Sequence, residues 1–356
     1  MTGDIDAFKQ ELEDEAVDVN FCPGSFTGVT VLFRAAHLGK IEFVQVLLQN
    51  SKIDVNRGDS SSLTPLFGAC EEGHLEVVRL LMAHPEVDVN KAIPVQASPF
   101  WVACEKGRED VVIHMLQDPR VNIVAPMNDG ATPLFISSQH HQLAIVKLLL
   151  DDPRTDPNEP MHDGATPFYI ACQEGFFEIV KLLLLHPRIQ PDKPTNDQVA
   201  PFFTACQNGH LDIVRLLLKD RRVEPERQRD VGASALMVAC GEGQVEVVKI
   251  LLASARITTL GPSLSRDATT ASKSVKADWK EFIGAMPQAW ISCKDVAYVR
   301  GESEIWALMN EYELHPAATI TALRIELGIA RKPRVKLSGE NVQMKANFFS
   351  FFFFSR

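Results

Sequence analysis

Apolar residues in this chain come in short blocks with helical spacing. Val77, Val78, Leu80 and Leu81 form one block, Ile179, Val180, Leu182 and Leu183 a second, and Ile213, Val214, Leu216 and Leu217 a third. Positions i, i+1, i+3 and i+4 predict a helix with one buried face. A Gly stands a few residues ahead of most blocks: Gly39, Gly73, Gly107, Gly175, Gly209 and Gly243. About nine residues before it, a short block opens at Thr30, Thr64, Ser98, Thr132, Thr166, Ala200 and Ser234, and these openings are 34 residues apart. A fixed period of this size predicts a solenoid of stacked units, each burying its face against its neighbours.

Each unit reads as helix, tight turn, helix and loop. Thr at the opening supplies an N-cap acceptor, and the following Pro has the fixed φ suited to the first helical position. Gly after the first helix suits a left-handed terminus. The second helix runs to Pro85, Pro119, Pro153 or Pro187, where the ring removes a donor and disfavours helix just before it. Extended stretches such as Val87-Asp88-Val89-Asn90 lead to the next unit.

With Thr64-Pro65-Leu66-Phe67, Thr132-Pro133-Leu134-Phe135 and Thr166-Pro167-Phe168-Tyr169 in view, the chain resembles the ankyrin repeat family, whose signature is Thr-Pro-Leu-His-x-Ala. The resemblance covers roughly residues 3 to 257. It implies an all-α ankyrin-repeat solenoid of helix-turn-helix units joined by β-turn loops. Gly3 to Leu12 resembles the second helix of a truncated first unit. Two departures are systematic. The signature His is replaced by Phe33, Phe67, Trp101, Phe135, Tyr169, Phe203 and Met237, so packing is expected to take over the work of its hydrogen bonds. One extra residue, as in His84-Pro85-Glu86-Val87, accounts for 34 rather than 33.

Cysteine usage changes the picture little. Cys70, Cys104, Cys172, Cys206 and Cys240 share one repeat position. Neighbouring helices lie roughly 8–10 Å apart, beyond the roughly 7 Å Cα limit for a disulfide. They read as buried structural thiols, which suits a reducing compartment, cytoplasmic with a nuclear location also open. No leader sequence and no span of about 20 apolar residues is apparent. The net charge is −10; residues 331–356 hold six Lys and Arg against one Glu, so the remainder carries −15. An acidic body argues against nucleic acid as a partner, because phosphate contacts dominate that affinity.

The repeats are expected to occupy residues 1–257. Residues 258–277, rich in Ser, Thr and Ala, read as a linker. Residues 278–330 read as a small helical segment, with a helix from Asp278 through Ile283 and two more over Ser303–Leu314 and Ala317–Leu327, closed by Gly328. Residues 331–356 form a basic, Phe-rich, disordered tail. Its Arg331-Lys332-Pro333-Arg334-Val335-Lys336 run reads as a solvated basic stretch. Its Phe348 to Phe354 cluster is too short for a membrane span and reads as translated pyrimidine-rich sequence.

No phosphate loop, nucleophile motif or metal-spaced Cys/His cluster appears, so no enzyme, cofactor or metal is expected. His74 and His210 stand where the family has a structural His. His141 replaces the turn Gly in a unit that also has Ser137-Ser138 for Ala-Cys. What remains is surface. The resemblance implies a concave groove lined by two variable residues before each Gly. Carried onto this sequence, the partner-binding candidates are Glu71, Glu72, Glu105, Lys106, Gln139, His140, Gln173, Glu174, Gln207 and Asn208. His37, Leu38, Gly241 and Glu242 lie at the ends of the row, and Asn128, Asp129, His162, Asp163, Asn196 and Asp197 at loop tips. The expected function is a non-catalytic, monomeric protein-protein interaction scaffold that takes a basic or polar segment, with no membrane contact. The alternative is an adaptor or regulatory subunit of an enzyme, such as a ubiquitin ligase or kinase, docking through the residues after 278.

Overall fold

The computed structural model describes residues 5–12, 18–20, 28–227, 233–254, 256–257 and 293–329. The linker at 258–277, the helix from Asp278 and the tail at 331–356 lie outside the described residues. Within them the chain is all helix and loop, with no strand. Short α1 (Ile5–Leu12) precedes the first complete pair, α2 (Val31–His37) and α3 (Ile41–Leu48). Next come α4 (Pro65–Glu72) with α5 (Leu75–Ala83), α6 (Pro99–Glu105) with α7 (Glu109–Leu116), and α8 (Pro133–Gln139) with α9 (Leu143–Asp151). Then follow α10 (Pro167–Glu174) with α11 (Phe177–Leu185), α12 (Pro201–Gln207) with α13 (Leu211–Leu217), and α14 (Ala235–Gly241) with α15 (Val245–Ala253). The even-numbered helices of these pairs stack on one another, and the odd-numbered ones form a second layer. Lone α1 continues that second layer, packing on α3 with the rings of Phe8 and Phe43 5.0 Å apart.

The caps follow the residue types. The hydroxyls of Thr30, Thr64, Ser98, Thr132, Thr166 and Ser234 each accept from the backbone N–H three residues on, at 3.0–3.2 Å. Ala200 has no hydroxyl and makes no such bond. Buried thiols and alanines let the first helices approach closely, as Ala69, Cys70, Ala103 and Cys104 show at 0% exposure.

Several second helices bury a different arc from the one expected, whereas α15 buries the expected Val247, Val248, Ile250 and Leu251. In α11 the buried residues are Ile179, Val180, Leu183 and Leu184, whereas Leu182 is half-buried. At 100° per residue, i+4 and i+5 fall on the same side as i and i+1, while i+3 swings off the far edge. Leu80 and Leu216 behave as Leu182 does.

Side-chain ladders tie consecutive units together, one joining loop to loop and one joining a loop to the end of the preceding unit's second helix. Asn20, Asn56, Asn90 and Asn158 each donate Nδ2 to a carbonyl of the next loop (Lys52, Glu86, Arg120, Arg188) at 2.7–2.8 Å. Their Oδ1 atoms accept from the N–H two residues beyond that carbonyl (Asp54, Asp88, Asn122, Gln190) at 2.7–2.8 Å. The second ladder is of arginines. Arg120, Arg154 and Arg222 donate Nη2 to the carbonyls of Met82, Leu116 and Leu184. These carbonyls lie at the end of the preceding unit's second helix, where acceptors lack helical donors. Asp118, Asp152 and Asp220 hold the same guanidiniums at 2.7 Å. Those arginine hydrogen bonds keep the three carboxyls below their ordinary range.

The C-terminal segment joins the stack. α16 (Cys293–Arg300) packs on α14, and α17 (Ser303–Leu314) on α16. The turn between them repeats the turn of the other pairs. Gly301 has φ +79, Glu302 N–H donates to Ala297 and Ser303 N–H to Gly301. His74 N–H to Ala69 and Leu75 N–H to Gly73 are the same bonds in α4–α5. Cys293, Ala297, Ile305 and Met309 join the continuous core. α18 (Pro316–Glu326) then folds back over α15, where Arg324 Nε donates to the Ala253 carbonyl at 2.9 Å and Glu326 pairs with Lys249 at 3.2 Å.

Candidate functional site

The stack of first helices places the candidate residues in two parallel rows. Each pair sits at the end of a first helix, just before the turn, so every unit presents the same two positions. Glu71, Glu105, Gln139, Gln173 and Gln207 form a half-buried row that begins at His37. Glu72, Lys106, His140, Glu174 and Asn208 form the exposed row beside it. Gly241, at the far end, is buried.

The backbone beneath the half-buried row is pinned to the next unit. His74 Nε2 donates to the His37 carbonyl at 3.1 Å, Arg108 Nε to Glu71 at 2.8 Å and Gln142 Nε2 to Glu105 at 3.4 Å. Further along, His210 Nε2 donates to Gln173 at 2.8 Å and Gln244 Nε2 to Gln207 at 3.2 Å. The sequence could have shown this ladder, because all five residues stand one place after the turn glycine or its substitute. At the last junction Glu302 stands in the donor's place, and Arg300 Nε reaches the Gly241 carbonyl at 2.8 Å.

One rung is replaced. Phe176 stands where a donor is needed and offers none. His141, at the preceding turn, has φ +59 and stacks on the Phe176 ring, centroids 4.4 Å apart. A His in the left-handed region is strained, and aromatic stacking offsets part of that cost.

Charge is uneven along the rows. At the N-terminal end His37, Glu71 and Glu72 bring ligand-type atoms within 4.8 Å of one another, with His37 Nε2 4.0 Å from Glu72 Oε1. Among the described residues these are the side chains that could approach a cation, but they are half-exposed to exposed and lack the fourth ligand of a closed zinc site. The Glu105 carboxylate is paired with Lys106 at 3.1 Å. The middle is amide-rich. Asn208 Nδ2 donates to the Gln173 carbonyl at 2.9 Å, and Gln207 Nε2 to Glu242 at 3.4 Å.

The loop tips are held from both sides. Asp129 and Asp163 close their own turns by accepting from Ala131 and Ala165 N–H at 2.9 and 2.8 Å. Successive tips also bond to one another: His162 N–H donates to the Asp129 carbonyl and Asn196 N–H to Asp163. Asn128 Nδ2 donates to the Pro94 carbonyl and Asn196 Nδ2 to His162. Packing alone therefore does not replace the signature His. Trp101, in its place, donates its indole N–H to the Ala131 carbonyl of the next loop at 2.9 Å.

The ankyrin repeats family model, which covers three copies at a time, matches residues 1–93, 100–197, 154–228 and 189–260. The chain belongs to the ankyrin repeat family, whose repeats mediate protein–protein interaction and are typically non-catalytic. No curated protein matches it. Among the described residues no helix is long and apolar enough to cross a membrane.

Proposed function

We propose that this protein is a non-catalytic interaction scaffold that binds a basic or polar protein segment along the two groove rows. The observation carrying the reading is the pair of in-register rows of polar side chains on a pinned backbone, where the carboxylates of Glu71, Glu72 and Glu174 make no ion pair with Lys or Arg among the described residues. Ordered side chains lose less entropy on binding, and acidic groups raise the on-rate of a basic partner. The acidic end of the rows supports a basic or polar partner; the biological role does not follow from the fold.

The test begins with a partner recovered by the full chain, then measures association at two salt concentrations. Replacing Glu71, Glu72, Glu105 and Glu174 together by Gln is expected to leave folding intact and slow association, with weaker salt dependence. Unchanged kinetics in the folded variant would refute the groove as the binding surface.

A second reading has its own observation. Trp306, Leu314 and Ile329 are large apolar residues at 38%, 63% and 58% exposure on or just after α17 and α18. They support docking of an enzyme at the C-terminal end, which would make the chain an adaptor or regulatory subunit. Retention of an enzyme by the full chain and its loss in a Leu314→Asp variant that keeps its groove partner would favour this reading.

A further inference from the structure

The asparagine ladder has a gap, and the gap is a cleft. Val124 stands at the position of Asn90 and Asn158, one period from each. By the same register, its partners would be the carbonyl of Arg154 and the N–H of Asp156. Neither backbone group makes a hydrogen bond within the described residues. Val124 is 40% exposed and does not fill the space. Arg154, Thr155 and Asp156 line one side of a cleft of about 240 Å³, and Ile123, Val124 and Leu134 line the other. The Arg154 guanidinium is held elsewhere, by Asp152 at 2.7 Å and the Leu116 carbonyl at 3.2 Å.

We propose that this cleft receives a side-chain carboxamide, the Asn or Gln of a bound protein segment. The chain itself displays the complement four times. At Asn20, Asn56, Asn90 and Asn158 a primary amide donates to that carbonyl and accepts from that N–H, with all eight bonds at 2.7–2.8 Å. A donor and an acceptor at fixed spacing reject groups that satisfy only one of them, because the other is left unpaired on desolvation. Asp192, the next member of the row after Asn158, shows the limit. Its side chain accepts from Glu224 N–H at 3.1 Å and pairs with Arg227 at 2.7 Å, but it carries no amide N–H to offer the carbonyl. The volume suits one side chain, since an apolar cavity of about 150 Å³ already holds benzene. The apolar wall takes the aliphatic stem of a Gln. The site lies at the start of α8, whereas Gln139 and His140 lie at its other end, about 10 Å away along the axis. It is therefore a second contact point, independent of the groove reading.

The experiment follows the Asp156 amide in the full chain by transverse-relaxation-optimised NMR during titration with N-acetylglutamine N-methylamide. The norleucine analogue, of similar length but without the amide, is the control. A saturable shift of Asp156 with the glutamine probe alone is expected. In Val124→Asn, which supplies the amide internally, the shift should vanish and the melting temperature should rise by about 2–4 °C. No shift, an equal shift with the norleucine probe, or a shift that persists in Val124→Asn would overturn the proposal. So would a lower melting temperature for Val124→Asn, because the two backbone groups would then not stand as they do at the other four positions.

Discussion

Raising the pH should unfold this protein through its thiols. Cys70, Cys104, Cys172 and Cys206 are fully buried, and burial pushes each thiol well above its ordinary value. Cys240 is raised first by its hydrogen bond with Cys293 and then by burial. A folded-state pKa above the unfolded one stabilises fully below the unfolded value, near 8.5, and that stability is lost as pH rises beyond it. Above that point the unfolded chain has released a proton that the folded chain keeps. Each thiol then removes about 1.4 kcal/mol per pH unit. If all five belong to one cooperative unit, a unit of pH above 8.5 costs about 7 kcal/mol, comparable to the whole stability of an ordinary domain. Urea denaturation followed by circular dichroism from pH 7.5 to 9.5 measures this, below the ordinary ranges of tyrosine and lysine. The slope counts protons, so a Cys70→Ala/Cys104→Ala variant should lose two of the five. A flat profile to pH 9.5, or an unchanged slope in that variant, would show that these thiols ionise in place and that the helix interface admits water.

Four further outcomes follow from the packing and the loops. Stability should fall as pH drops below about 4, because Asp118, Asp152 and Asp220 have lowered folded-state values whose contribution exists above the unfolded pKa and is lost through the folded one; Asp118→Asn should shallow the acid limb of a melting-temperature profile. Leu183→Ala should cost about 2–5 kcal/mol in urea and half-buried Leu182→Ala clearly less, and the reverse order would reject the buried arc described for α11. Thr155 has a buried hydroxyl without a partner where other units have Val87, Val121 and Ile189, so Thr155→Val should stabilise by about 1 kcal/mol in the same assay. His141→Gly should be close to neutral, since relief of strain balances lost stacking, whereas His141→Ala should cost about 1 kcal/mol because the strain stays and the Phe176 contact goes.

The sequence by itself determined the helix-turn-helix units, the helix caps and the pairs of positions that stand in rows. Those features are local or strictly periodic. A cap needs only the residue and its N–H three places on, and a period of 34 forces equivalent residues into register. Thr64 with Phe67 and Gly73 with His74 are legible for that reason. What escaped was whatever breaks the period or depends on a neighbour. The turn glycine of α16–α17 is Gly301, and the one before it is Gly243, so the interval is far from 34 and the segment does not read as another helix pair. Only the packing of Cys293, Ala297 and Ile305 into the core reveals it. One edge of the α11 arc was misplaced because Leu182 and Leu184 are identical in type, and only the neighbouring layer decides which of them is covered. The cleft at Val124 is invisible in the chain because a valine in a loop says nothing until the Arg154 carbonyl and Asp156 N–H beside it are seen to lack the amide that the other units provide. Local chemistry is written in neighbouring residues, while the partners of a loop 30 residues away are chosen by the stacking of whole units.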